Sequence, residues 1–78
     1  MKVTVIGKSR KQGVSRKTGE VYDICNAYVT HPLRGAEGLV AEKVFLNPEQ
    51  FDFDGIQIGK AYNLDYDSNG FLVDFSLI

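Results

Sequence analysis

Five cations stand within ten residues of each other: Lys8, Arg10, Lys11, Arg16 and Lys17. Gln12-Gly13-Val14-Ser15 separates them into two groups, and Thr18-Gly19 closes the segment. Glu20-Val21-Tyr22 follows at once. Cations carried on a flexible hairpin neutralise the charges of a polyanion and release its counterions. A tyrosine at the base of such a hairpin offers a flat face to an unstacked nucleobase. The chemistry these residues point to is therefore non-covalent capture of a single-stranded nucleic acid.

The charge distribution supports this more than the total does. The formal net charge is −1. Residues 1–19 hold six cations and no acid, whereas residues 20–78 hold three cations and ten acids. The local field decides where an anion lands. The competing explanation is a solvated basic loop balanced elsewhere for solubility.

Other chemistries fit poorly. Gly7-Lys8-Ser9 mimics the end of a phosphate-binding loop, but Lys2 stands where the leading glycine belongs, and Arg10–Gly19 does not read as a helix. Asp65-Tyr66-Asp67-Ser68-Asn69-Gly70 matches the first half of an EF-hand loop. Its twelfth position is Ser76 where calcium needs a bidentate glutamate, and a Ser-Asn-Gly hairpin turn explains the same residues. His31 is the only histidine and Cys25 the only cysteine, so neither zinc spacing nor an intrachain disulfide arises. His31 reads as a solvated loop residue. Cys25 lies in an apolar alternation and reads as core. Asp52, Asp54, Asp65, Asp67 and Asp74 read as turn and strand-edge charges that oppose aggregation. No catalytic residue, metal, cofactor or small-molecule substrate is expected.

The elements that must position these groups are β-strands. Seventy-eight residues make one domain, 1–78, with a small core. Val, Ile, Tyr and Phe recur at period two between turn residues. Lys2–Ile6 begins a strand that continues toward Arg10 and enters the hairpin, whose tip Gly13 and Gly19 bracket. Glu20–Thr30 forms the second strand, with Val21, Cys25, Ala27 and Val29 on one face and Tyr22, Ile24, Asn26 and Tyr28 on the other. Pro32 ends it, and His31–Gly38 is a loop. Leu39–Leu46 is the third strand. Asn47-Pro48-Glu49-Gln50-Phe51 reads as a single helical turn capped by Asn47. Lys60–Tyr66 and Phe71–Leu77 form a final hairpin around Asp67–Gly70. Phe71, Val73, Phe75 and Leu77 are expected to fill the interior, leaving Leu72 and Ile78 outside.

This pattern predicts an all-β fold: a small five-stranded OB-like barrel with a protruding basic β-hairpin. Such a barrel binds oligonucleotides on strands two and three and in adjoining loops. That places Tyr28, Arg34 and Lys43 beside the hairpin cations and Tyr22. At its spacing from Tyr22, Tyr28 would serve a different nucleotide or simply pack, and Phe45 faces either ligand or core. No apolar run has the length of a membrane span, and the N-terminus does not read as a signal peptide. A cytoplasmic protein of a bacterial or phage-infected host cell is the expectation.

The segment Gln12-Gly13-Val14-Ser15-Arg16-Lys17-Thr18-Gly19-Glu20-Val21-Tyr22 resembles the DNA-binding wing of the filamentous-phage helix-destabilising proteins. Those proteins carry a Gly-Val-Ser-Arg or similar hairpin, then a glycine, then a tyrosine entering the next strand. The likeness is strongest over residues 8–30. It implies an OB-like symmetric dimer that coats single-stranded DNA cooperatively with little sequence preference. It implies a part in phage DNA replication, with some members also acting on messenger RNA. Carried over, Arg10 and Arg16 would contact the backbone and Tyr22 would stack on a base.

The expected function is thus non-catalytic coating of single-stranded DNA by a homodimer in phage or mobile-element replication. The first alternative is an RNA-binding module or translational repressor of the same architecture. The second is a protein-interaction or inhibitor domain that works through its acidic remainder.

Overall fold

The computed structural model describes residues 1–78. Its regular elements are five strands: β1 (Lys2–Val14), β2 (Val21–Pro32), β3 (Leu39–Leu46), β4 (Ala61–Tyr66) and β5 (Leu72–Leu77). They form one antiparallel sheet in the order β3-β2-β1-β4-β5. β3 and β5 are its two edges, and no ladder joins them. No helix is long and apolar enough to cross a membrane.

Alternation builds the core. Val3 and Val5 of β1, Cys25, Ala27 and Val29 of β2, and Val44 and Leu46 of β3 are all buried. Tyr62 and Leu64 of β4 and Phe75 of β5 join the same cluster. Both edges of the sheet thus contribute to one interior, so the sheet curls around it. The rings of Tyr62 and Phe75 stack at 4.9 Å. The segment between β3 and β4 covers one side: Ile56 is buried, Phe51 and Phe53 pack against the cluster, and the Gln57 amide donates to the Tyr62 hydroxyl at 2.8 Å. Asn47 opens that segment as expected. Its side-chain oxygen accepts from the Glu49 amide, and its carbonyl accepts from the Phe51 amide, which gives a single turn.

Two bulges decide which side chains face inward. On β1, Val5 opposes Val29 but Gly7 opposes Tyr28, so Ile6 is the extra residue. An extra residue reverses the alternation beyond it. Val3 and Val5 face the core before the bulge. After it, Lys8 and Arg10 take that side, opposite Ala27 and Cys25, while Ser9, Lys11 and Gly13 turn outward. On β5, Leu64 opposes Phe75 but Tyr66 opposes Leu72, which leaves Val73 as the extra residue.

The second bulge corrects the expected filling of the interior. Phe75 is buried, yet Phe71, Val73 and Leu77 are 70%, 53% and 49% exposed. Leu72, expected outside, packs against the core because the bulge moves it to the inward face. Other boundaries also shift. β1 runs on to Val14, and β2 retains His31 and Pro32 at an end where Pro32 needs no inner ladder partner. Only Gly19 of the two hairpin glycines has a positive φ, 73°, so it alone makes the turn; Gly13 lies within the strand. His31 is buried, not solvated, because its position on β2 shares the face of Val29 and Ala27.

Candidate nucleic-acid interface

The outward face of β1, β2 and β3 collects the groups of interest. On β2 it carries Tyr22, Ile24, Asn26 and Tyr28, the face read from the alternation. Across the β1 ladder these oppose Gly13, Lys11, Ser9 and Gly7 in turn. Across the β3 ladder, Asn26 opposes Phe45 and Tyr28 opposes Lys43. Phe45 is 60% exposed and Tyr28 is 37% exposed, so both rings reach solvent.

Each tyrosine lies opposite a glycine of β1. A Cβ on Gly13 would fall 2.5 Å from the Tyr22 hydroxyl, so the ring crosses the neighbouring strand over bare backbone. A Cβ on Gly7 would meet the Tyr28 ring at 3.7 Å. Glycine–aromatic pairing of this kind covers backbone that glycine leaves open. The Tyr28 hydroxyl is fixed further by Ser9 Oγ at 3.1 Å. Both rings are held on the outward face by the strand beside them. Tyr22 and Tyr28 stand about 20 Å apart along a straight strand, too far for both rings to stack on one planar group.

The cations divide into two sets. Lys8 and Arg10 face inward after the first bulge. The Lys8 ammonium donates to the carbonyls of Phe53, Asp54 and Ile56 at 3.2, 3.3 and 3.0 Å and lies 5.0 Å from the Phe53 ring centroid. Arg10 donates through Nε and Nη2 to the two oxygens of Asp23 at 3.0 and 2.7 Å, and its guanidinium lies 5.9 Å from the same ring. The Arg10 hydrogen bonds hold the Asp23 carboxyl below the usual carboxylate range, and the pairing raises Arg10 further. Both cations therefore anchor the hairpin base to the β3–β4 segment. Lys11, Arg16, Lys17 and Lys43 are exposed and form no ion pair. Arg34 is also exposed, but it lies beyond the opposite end of β2, roughly 40 Å along the strand from the hairpin tip.

His31, Cys25 and Asp67 are accounted for by their structural surroundings. His31 faces two acceptors: its Nδ1 lies 3.0 Å from the Pro32 carbonyl and its Nε2 lies 3.0 Å from Glu42 Oε2. Both nitrogens can donate only in the imidazolium, so the Pro32 carbonyl and then Glu42 raise its pKa. Burial raises the Cys25 thiol, which disfavours the nucleophilic thiolate. Asp67 Oδ1 accepts from the amides of Asn69 and Phe71, an Asx turn that explains the EF-hand-like residues as a hairpin tip. No three His, Cys, Asp or Glu side chains gather as a metal-ligand set.

Comparisons with protein-family models, with curated proteins and with solved structures find no match for this chain.

Proposed function

We propose that the protein is a non-catalytic, OB-like single-stranded DNA-binding protein that coats its ligand as a homodimer in phage or mobile-element replication. The observation that carries this reading is the joint outward exposure of Tyr28, Phe45, Lys43 and Lys11 on one sheet face, with Tyr22 on that face and a basic hairpin beyond it. Rings give sequence-tolerant stacking and exposed cations give phosphate contacts, the two components of single-strand affinity.

The strand order supports the OB-like part. The two edges, β3 and β5, enclose one core without sharing a ladder, as in a partly open five-stranded barrel. On this reading Lys11, Arg16, Lys17 and Lys43 contact phosphates, and Tyr22, Tyr28 and Phe45 contact bases. Lys8 and Arg10 support the hairpin from beneath, and Arg34 lies at the far end of the bound strand.

Fluorescence titration of a labelled single strand against a duplex of equal length, over several salt concentrations, tests the proposal. Tighter single-strand binding that weakens as salt rises supports it. Equal preference for the duplex, or no binding at low salt, overturns it. A ribo-oligomer arm separates the RNA-binding alternative, because the 2′-hydroxyl is the discriminating group.

A further inference from the structure

The unpaired seam between β3 and the β4–β5 hairpin opens into a groove of about 490 Å³. Phe45, Tyr66 and Phe71 line it, and Phe45, Tyr66 and Phe71 are 60%, 49% and 70% exposed. The one stacked ring pair in the molecule is Tyr62 on Phe75, so none of these three rings is stacked on another. Lys43, Asn47 and Gln50 complete the wall.

Three properties determine what this groove suits. Its size falls within the range of small-ligand sites, roughly 300–1,000 Å³, and admits a planar heterocycle between rings. Part of its hydrogen-bonding capacity is unused. Asn47 Oδ1 is committed to the Glu49 amide, leaving Nδ2 as a donor. The Gln50 side-chain amide and the Tyr66 hydroxyl form no hydrogen bond within the chain, and the Gln50 backbone N–H is taken by the Asn47 carbonyl. Its position is continuous with the candidate interface, because Lys43 and Phe45 belong to both and Lys43 lies directly opposite Tyr28. A strand that crosses Tyr28 meets this opening next, with a cation at its mouth for the adjoining phosphate.

We propose that this groove reads one nucleobase of the bound single strand, the rings of Phe45, Tyr66 and Phe71 stacking on it while Gln50 and Asn47 contact its hydrogen-bonding edge. The proposal rests on the single-strand reading and adds base preference to it. Stacking on the outer face is indifferent to base identity. A primary amide set against a base edge is not, since its donor and acceptor must be matched. The protein therefore binds any single strand but favours one base at one position in each site.

Anisotropy titrations with labelled oligo(dT), oligo(dC) and oligo(dA) of equal length test this on the intact protein. The strands' own stacking cancels when affinity ratios are compared between wild type and variant. Wild type should separate the best and worst homopolymers by about tenfold. Gln50→Ala should reduce that separation to about threefold or less by weakening only the favoured homopolymer, since stacking on the outer face is untouched. Phe71→Ala should weaken all the homopolymers that enter the groove by removing a stacking face, and the exposure of Phe71 leaves folding intact, as circular dichroism will verify. Unchanged affinities in both variants, with Tyr22→Ala still lowering affinity for all three, would remove the groove and leave the single-strand reading standing. An unchanged ratio in Gln50→Ala would overturn base reading, whatever the loss in Phe71→Ala. No binding of any homopolymer by wild type would overturn both.

Discussion

Tyr22 lies directly across the β1–β2 ladder from Gly13, and its hydroxyl occupies the space that a side chain on Gly13 would need. The same relation recurs between Tyr28 and Gly7. These pairs hold two rings at fixed places on an otherwise open face, the pre-organisation that a stacking surface requires.

Removal of the Tyr22 ring should therefore cost affinity without cost to the core. Tyr22→Ala is expected to lose about 1–3 kcal/mol of single-strand binding, while Tyr22→Phe, which keeps the ring face, should be nearly silent. Gly13→Ala should displace the ring and lower affinity in the same direction, since a Cβ there falls 2.5 Å from the Tyr22 hydroxyl. Fluorescence titration with thermal melts on the same samples checks this. Normal binding with early melting in Tyr22→Ala would assign the ring to stability alone.

The hairpin cations should not be equivalent. Arg16 is exposed and unpaired, whereas Arg10 is held by Asp23. Arg16→Ala should make the slope of log affinity against log salt shallower by about 0.7, the loss of one phosphate contact. Arg10→Ala should change that slope less. Asp23→Asn should release Arg10 and steepen the slope by up to about 0.7. A larger slope change in Arg10→Ala than in Arg16→Ala would show that the ion pair opens on binding.

The division of cations also shows what the sequence could reveal. β3 is legible to the residue, because Leu39–Leu46 lies between a glycine-rich loop and the Asn-Pro turn. The Tyr22–Tyr28 face is legible from simple alternation. The bulges at Ile6 and Val73 are not, since an extra residue is defined by what the partner strand places opposite it. That single shift at Ile6 turns Lys8 and Arg10 inward, so a contiguous basic run separates into anchors and free charges. The glycine–tyrosine pairs have a trace in sequence, since Gly7 and Gly13 share the spacing of Tyr22 and Tyr28. Only the β1–β2 register makes that spacing meaningful. Phe71 and the seam groove depend on two strands that fail to meet, a long-range relation with no local signature.

Stability should depend on pH through His31. Its folded-state pKa lies above the unfolded value of 6.5, first because of the Pro32 carbonyl and then because of Glu42. A raised folded pKa gives stability that is fully present below the unfolded pKa and is lost as pH rises through the folded one. Melting temperature should therefore fall with increasing pH from about 6.5 upward, until the imidazolium has lost its proton. His31→Gln should remove this dependence, as should Glu42→Gln in part. A wild-type melting temperature that rises across that interval would contradict the assigned imidazolium.

The protein should form a homodimer through β5. Val73, Leu77 and Ile78 are 53%, 49% and 68% exposed, and β5 is an unpaired edge of the sheet. Val73, Leu77 and Ile78 lie outside the groove that Phe71 and Leu72 line, so this part of β5 offers its apolar side chains to another chain, and the cation-free β5 carries no lysine to discourage it. A small domain with no disulfide gains stability from such an association. Two-fold pairing is the commonest arrangement, and it would place two hairpins on one assembly. Linked sites hold a continuous strand more tightly than either site alone. Light scattering at micromolar concentration should give about twice the chain mass of 8.7 kDa, and unfolding should depend on concentration. Val73→Lys, which adds a charge to the edge without touching the core, should yield a monomer that binds short oligomers normally and long ones less tightly. A wild-type monomer with concentration-independent melting would defeat the prediction. Single-strand binding by that monomer would then rest on one hairpin and one tyrosine face.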